Sequence, residues 1–179
     1  MAETVNAAST PTTGAKLGKL KRSALLHFLA NPNASGDPSE DTYLIGQNVE
    51  DMSVELNPDT ESVKNILDET VVNDNGYEPT VDVDTYYANP SDGWIYDWLK
   101  DIAMNRKTGD DCLTQMFEVL IDKTEAPFDC WNEEVIVKPT SYGGAQGGVS
   151  IPFTITPCGN REQGTATLTG KKLASYTPN

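Results

Sequence analysis

The chain has few of the residues that carry catalysis or nucleic-acid binding. It has one histidine, His27, in 179 residues, and its 13 lysines and arginines are outnumbered by 27 acids. The formal net charge of −14 argues against a protein that grips DNA, because affinity for phosphates comes from lysine and arginine. No apolar run approaches the roughly 18 residues of a membrane span. We therefore expect neither a nucleic-acid reader nor a membrane partner.

Cysteine is scarce as well. Cys112, Cys130 and Cys158 are an odd number at wide spacings, with no Cys-x-x-Cys pair. This pattern predicts reduced thiols, no metal site and no cofactor, as in a protein assembled in cytoplasm. The segment Lys19 to Ala30 imitates a signal peptide, but its apolar run is short and lacks a cleavage pattern. We expect no secretion by that route.

The length suits one domain with mobile ends. Residues 1–18 are rich in Ala, Thr, Ser and Gly and predict a flexible N-terminal arm. Burial of their few apolar side chains would not offset the conformational entropy that is lost on ordering. Residues 19–170 form the predicted domain, and residues 171–179 a flexible C-terminal tail. Acids are concentrated in the middle, where Asp37 to Glu134 holds 25 of them but only five basic residues. The ends of the chain are mildly basic.

One segment has helical periodicity, from Gly93 to Asn105. Its apolar residues recur at i, i+1, i+4, i+5 and i+8: Trp94, Ile95, Trp98, Leu99 and Ile102. Ser91 or Asp92 is placed to cap its first turn. Two tryptophans on so short a helix need a broad apolar surface, which in this chain is the face of a sheet.

The rest of the chain has the pattern of strands. Tyr43 to Leu56, Val63 to Val72 (with Ile66 and Leu67 inward) and Glu78 to Tyr87 are predicted strands, and Asn75-Gly76 is a predicted tight hairpin turn. In all we expect a mainly β fold of about eight strands, a β-sandwich or a partly closed barrel with the helix on one flank. Alternation places Glu55, Asp82 and Asp84 on a wet, acidic face.

Candidate catalytic patterns are weak. The glycines of 143–148 do not precede a helix and lack the Lys-Ser/Thr of a phosphate loop. Glu133 and Glu134 are neighbours that point to opposite faces of a strand, so we expect a solvated loop end rather than an acid/base pair. Asp82 and Asp84 would hold an ion weakly at most. We expect no enzyme.

Eight segments carry a family resemblance through their sequence and their order along the chain: Leu20 to Phe28, Tyr43 to Glu55, Asn57 to Leu67, Gly76 to Pro79, Tyr86 to Ala88, Pro139 to Gly144, Ile151 to Phe153 and Gly164 to Leu168. Together they resemble the major tail tube protein of long-tailed, non-contractile bacteriophages of Gram-positive bacteria. Asp68 departs from the pattern, since similar proteins often have glycine there.

This resemblance implies hexameric rings that stack into a tube in the virion tail, assembled in the cytoplasm of the bacterial host. The implied partners are copies of the chain, the tape-measure protein and tail-end proteins, and DNA that passes through without specific binding. Glu55, Asp82 and Asp84 are then candidate lumen-facing acids. The candidate ring-stacking segment runs from Asn57 to Glu78 and includes Asp59, Asn75, Gly76 and Tyr77.

A binding module is the alternative function. A β-sandwich adhesin or carbohydrate-binding domain would use the glycine-rich loop and Trp131, because aromatic side chains stack on sugars or bases. Such a module would be monomeric, whereas a tube subunit would assemble.

Overall fold

The computed structural model describes residues 15–37 and 39–179. Most of the predicted N-terminal arm therefore lies outside the described residues. Its last residues run beside Lys123, where Lys16 forms a bridge and the Leu17 N–H donates to the Asp122 carbonyl at 2.7 Å. Within the described ranges, no helix has the length and apolarity needed to cross a membrane.

The fold is mainly β, as predicted, with eleven strands and one α-helix in the described residues. The strands are β1 Leu25–Ala30, β2 Thr42–Leu44, β3 Met52–Glu55, β4 Pro58–Lys64, β5 Thr70–Tyr77, β6 Thr80–Val83, β7 Leu113–Leu120, β8 Phe128–Pro139, β9 Phe153–Pro157, β10 Glu162–Thr169 and β11 Lys172–Pro178. The helix, α1, is Trp94–Asn105. Three single 3₁₀ turns, Arg22–Ala24, Pro90–Asp92 and Gly109–Cys112, precede β1, α1 and β7.

Most strands form one antiparallel sheet that curls into a half-barrel. Its order is β2-β1-β7-β8-β9-β6-β3, with β10 and β11 attached to β8. The long β8 makes this possible, because its first half pairs with β10 and its second half with β9. Strands β4 and β5 pair only with each other and form a separate hairpin.

Two apolar cores lie on opposite faces of the sheet. Helix α1 covers one face, where Leu99 and Ile95 pack with Val81, Val135 and Ile155. The second core lies on the other face, among Phe28, Phe117, Cys130, Ala166 and Leu173, and is enclosed by β10 and β11. Neighbouring residues of β1 and β7 point to opposite faces of the sheet, so each of these strands contributes side chains to both cores.

The helix agrees with its sequence prediction. Ile95, Trp98, Leu99 and Ile102 are buried, and Trp94 is half-buried with its ring edge-on to Tyr43 at 6.5 Å. The predicted cap was wrong. Gly93 precedes the helix with φ 73°, while Ser91 and Asp92 lie in the preceding 3₁₀ turn.

The prediction of one continuous strand from Tyr43 to Leu56 was wrong. The structure divides it into β2 and β3, joined by a turn region in which Gly46 has φ 148°. That φ lies in a region open mainly to glycine, and residues 45–46 form a turn there. Alternation along the predicted strand would place Leu56 on the same side as Met52 and Val54, but Leu56 is exposed.

The C-terminal segment is also corrected. Residues 171–179, expected to form a flexible tail, carry β11, which pairs with β10 from Thr169↔Lys172 to Gly164↔Pro178. Leu173 is buried in the second core. Gly164 permits the pairing, because a Cβ there would lie 2.3 Å from the Thr177 carbonyl oxygen. A pairing partner in the preceding strand gives this polar segment its order.

Candidate functional site

The β4–β5 hairpin is the most exposed regular element of the described chain. It begins at Asn57, whose φ of 42° turns the backbone and whose side-chain amide donates to the Glu78 carbonyl at 3.1 Å. The two strands continue the β3–β6 ribbon beyond the sheet, with Pro58 opposite Tyr77. Within β4 no residue is buried, and β5 has only Gly76 partly covered. The hairpin projects from the domain.

Its turn lies at a different place from the predicted one. Asn75-Gly76 is inside β5, and the expected strand Val63 to Val72 contains the actual turn, from Asn65 to Glu69. The Asn65 side-chain oxygen accepts from the backbone N–H groups of Leu67 and Glu69 at 2.9 and 3.0 Å. An asparagine that bonds two and four residues ahead stabilises such a turn locally. The predicted ring-stacking residues Asn57, Asp59, Asn75, Gly76 and Tyr77 therefore lie near the hairpin base.

The tip of the hairpin exposes two apolar side chains next to Asp68 and Glu69. Ile66 is fully exposed and Leu67 is 72% exposed, although both were expected to face inward. Behind them, Val63 and Val71 lie directly opposite each other, both exposed, and Val72 is exposed on the other face. An isolated two-stranded hairpin is marginal in water, and contiguous exposed apolar side chains mark interaction surfaces. Within the part of the chain that the structure describes, the side chains of Ile66 and Leu67 remain exposed.

The same hairpin is strongly acidic. Between Asn57 and Glu78 its charged residues are six acids and one lysine: Asp59, Glu61, Asp68, Glu69, Asp74 and Glu78, with Lys64. A surface that docks this hairpin should therefore combine an apolar groove with basic residues.

The predicted acids are on the face of the sheet opposite to the helix. Ser53 lies opposite Asp82, which lies opposite Thr154, and Glu55 lies opposite Thr80. Their neighbours Met52, Val54, Val81 and Val83 point to the helix side. Asp84 follows β6 directly and is exposed. This region has one apolar face and one hydrophilic, acidic face, and Glu55 and Asp82 share the acidic one.

A carboxylate fixes the start of the helix on the other face. The Asp92 carboxylate accepts from Tyr43 Oη at 3.1 Å, Tyr86 Oη at 3.0 Å and Asn48 Nδ2 at 2.8 Å. Burial, and then the negative charge of Asp92, raise the pKa of both tyrosines above the ordinary value. At the other end, the Trp98 indole donates to the Asp111 carbonyl at 3.0 Å. These bonds hold the helix against the sheet as a structural element.

A buried charge cluster was missed by the sequence analysis. His27 Nε2 lies 3.2 Å from Glu118 Oε1, and Arg161 pairs with both Glu118 and Glu133. Glu133 is buried and accepts from the Gly159 N–H at 3.0 Å, so the expectation of a solvated loop end was wrong. Burial acts to raise the pKa of Glu118, but the contacts with His27 and Arg161 outweigh it and hold that pKa below its ordinary value. No local sequence signal marks this cluster, because β1, β7, β8 and the connection between β9 and β10 supply its members.

Arg161 of this cluster also covers one face of the Trp131 ring. The Arg161 guanidinium lies over the Trp131 ring, 5.7 Å from its centroid. A cation in that position competes with a sugar or a base for the face of the ring. The glycine-rich segment forms a compact turn, closed by reciprocal backbone hydrogen bonds between Gly143 and Ser150, and strand β9 follows it. Neither feature is arranged as an open aromatic platform.

The cysteines are free thiols. Cys112 and Cys130 are buried, and burial raises the pKa of Cys130 to about 12. Cys158 is exposed on the connection between β9 and β10, where burial and nearby Glu134 and Glu133 raise its pKa. A raised pKa keeps a thiol protonated and unreactive.

A groove of about 760 Å³ lies where β1, the β2–β3 connection and the end of β7 meet. Its apolar lining is Leu25, Leu26, Leu44, Ile45, Val49, Met52 and Ile121. Arg22 and Lys171 border it, as do Glu50 and Asp51. The Arg22 guanidinium crosses its rim, donating to the carbonyls of Leu25 at 2.7 Å and Met52 at 3.2 Å. Sequence reasoning had no access to this groove, because it is assembled from four distant segments.

Comparison with known proteins adds no assignment. No model of a known protein family matches this chain. The search of curated proteins likewise found no match.

Proposed function

We propose that this chain is the structural subunit of a bacteriophage tail tube, forming hexameric rings that stack into the conduit for DNA in the virion. The observation that carries the proposal is the β4–β5 hairpin, with its exposed apolar tip at Ile66 and Leu67. Neither apolar core of the domain includes a residue of this hairpin, so the hairpin does not help to fill them. A stacked assembly of identical subunits supplies a partner for every hairpin.

The acidic face supports the same proposal. Glu55 and Asp82 lie on the face that the helix leaves uncovered, and they repel the phosphates of DNA. A channel lined in this way lets duplex DNA move without binding it, because affinity for DNA requires cationic side chains. Helix α1 then lies on the outer or lateral side of the ring and contributes to its stability.

A free sheet edge suits lateral assembly. Within the described residues, β3 is the last strand of its path and pairs on one side only, with β6. Arg22 donates a hydrogen bond to the Met52 carbonyl, but no strand of the described residues pairs with the outer edge of β3. An open edge of this kind is a template for pairing with another chain. In the proposed ring, neighbouring subunits cover it.

Electron microscopy of the concentrated protein tests the proposal. Negative staining should show rings and tubes of uniform diameter, and light scattering coupled to size exclusion should give a mass that is a multiple of six subunits. A protein that remains monomeric at high concentration contradicts the tube proposal. That result would agree with the alternative, a non-catalytic binding module of the adhesin or carbohydrate-binding type.

A further inference from the structure

We infer that the groove beside Arg22 and Lys171 is the receptor for the β4–β5 hairpin of a second copy of this chain. The inference rests on the proposed function in one respect, which is that copies stack in one direction. It adds a specific contact, in which the Ile66 and Leu67 side chains of one copy enter the groove lined by Leu25, Val49 and Ile121 of the next.

The donor and the receptor lie at opposite ends of one strand. Strand β3 begins at Met52, which lines the groove, and ends at Glu55, from which the chain enters the hairpin. The seven residues of β4 carry the tip about 23 Å beyond that point, at about 3.3 Å per residue. The hairpin therefore leads away from the groove of its own chain. A contact between two different surfaces at opposite ends repeats head to tail and builds an open-ended column.

The groove matches the tip in chemistry. Its lining is aliphatic, and its volume is of the size class that accommodates several side chains. A second, shallower groove continues it through Ser23 and Ile121 and adds the exposed Leu17 and Leu20. The apolar surface is thus longer than a single side chain requires. It can cover both the turn and the Val63–Val71 pair behind it.

The charges of the two surfaces are complementary. The hairpin has six acids and one lysine, whereas the grooves and the strand next to them have five basic residues, Lys19, Lys21, Arg22, Lys171 and Lys172. Two acids, Glu50 and Asp51, border one side of the groove, and Glu50 already accepts a hydrogen bond from Tyr87. The receptor is net positive and the hairpin net negative. Electrostatic complementarity fixes orientation and register as well as attraction.

A disulfide trap tests the contact directly. Ile66→Cys places a thiol at the tip, and Gln47→Cys places one on an exposed position that lines the groove. The background carries Cys158→Ser, since Cys158 is the exposed natural thiol and the other two are buried. Mild oxidation of the concentrated double variant should give a ladder of covalent oligomers, because each chain has one donor and one receptor.

Two controls make the trap decisive. Each single variant has one exposed thiol per chain, so it can form nothing larger than a covalent dimer. Pairing Ile66→Cys with Thr108→Cys, an exposed site outside the groove, should give only the few oligomers that chance collisions produce. A double variant that forms no more oligomers than this control overturns the inference. Tubes without a ladder contradict the groove contact alone, and a ladder without rings or tubes contradicts the tube proposal alone.

Discussion

The β3–β6 pair and the β4–β5 hairpin are two parts of one continuous ribbon, and they differ in what covers them. In β3 and β6 the chain alternates, so Met52, Val81 and Val83 are buried while Asp82 is wet. In β4 and β5 both faces are exposed, and the apolar residues gather at the tip. The apolar side chains of the first part are buried within the domain. The second leaves its apolar surface exposed, and in the proposed tube another copy of the chain covers it.

The largest expected difference between the two parts is in stability. Leu99→Ala, beneath the helix, should lower the free energy of unfolding by about 2–5 kcal/mol, because it removes a fully buried side chain and leaves a cavity. Ile66→Ala, at the tip, should change it by less than about 0.5 kcal/mol. Urea unfolding of the two variants measures both values. Equal losses would show that the hairpin contributes to the fold.

Assembly should respond in the opposite way. Ile66→Asp with Leu67→Asp places charges where apolar contact is expected, so tubes should disappear while the melting temperature stays within a few degrees of the parent value. Ser62→Asp, also exposed on the hairpin but away from the tip, is the matched control and should leave tubes intact. Sedimentation and negative staining detect the loss. Normal tubes from the tip variant would contradict a role for the tip.

The buried charge cluster predicts an acid-sensitive step in stability. The pKa of Glu118 is lowered in the folded state, so its contribution is present above the ordinary glutamate pKa of about 4.3 and is lost as pH falls through the folded-state value. Glu118→Gln should cost about 1–3 kcal/mol at neutral pH and flatten the loss of stability in acid. Unfolding curves over a pH series measure this slope. A Glu118→Gln variant that loses stability in acid as steeply as the parent would contradict this role for Glu118.

Charge reversal on the acidic face should affect transport and leave assembly alone. Asp82→Lys with Asp84→Lys should give normal tubes, because both side chains are exposed on the monomer. DNA ejection from particles carrying the variant should be slower, since lysines attract phosphates. Ejection followed by release of a DNA-binding dye measures the rate. An unchanged rate would count against a lumen lined by these residues.

Salt dependence is the smallest expected effect. The contact between the acidic hairpin and the basic groove rim should weaken as ions screen it, so tubes should shorten from low to high sodium chloride. The apolar tip contact should preserve some assembly throughout. Tube length measured by microscopy over a salt series checks this, and a length indifferent to salt would remove the electrostatic part of the argument.

The helix was predictable because its signal is local. Five apolar residues at helical spacing identified Trp94–Asn105, and tryptophan required a sheet beneath it. A hairpin was predicted in this region, but its turn was placed at Asn75-Gly76, whereas the actual turn runs from Asn65 to Glu69. Asn75-Gly76 has the stronger turn composition, yet the bonds of Asn65 and the pairing of Val63 with Val71 set the actual turn. Cross-strand pairing overrides local turn preference when the two conflict.

By itself the sequence determined the class of fold, the helix with its buried stripe, and the alternation that leaves Glu55 and Asp82 in water. These follow from spacing along one strand or one helix, which a linear chain displays directly. Only the tertiary structure decided the second core, the order of β11, the His27–Glu118 pair and the groove. Each of these joins residues far apart in the chain, and their contacts exist only after the sheet has curled.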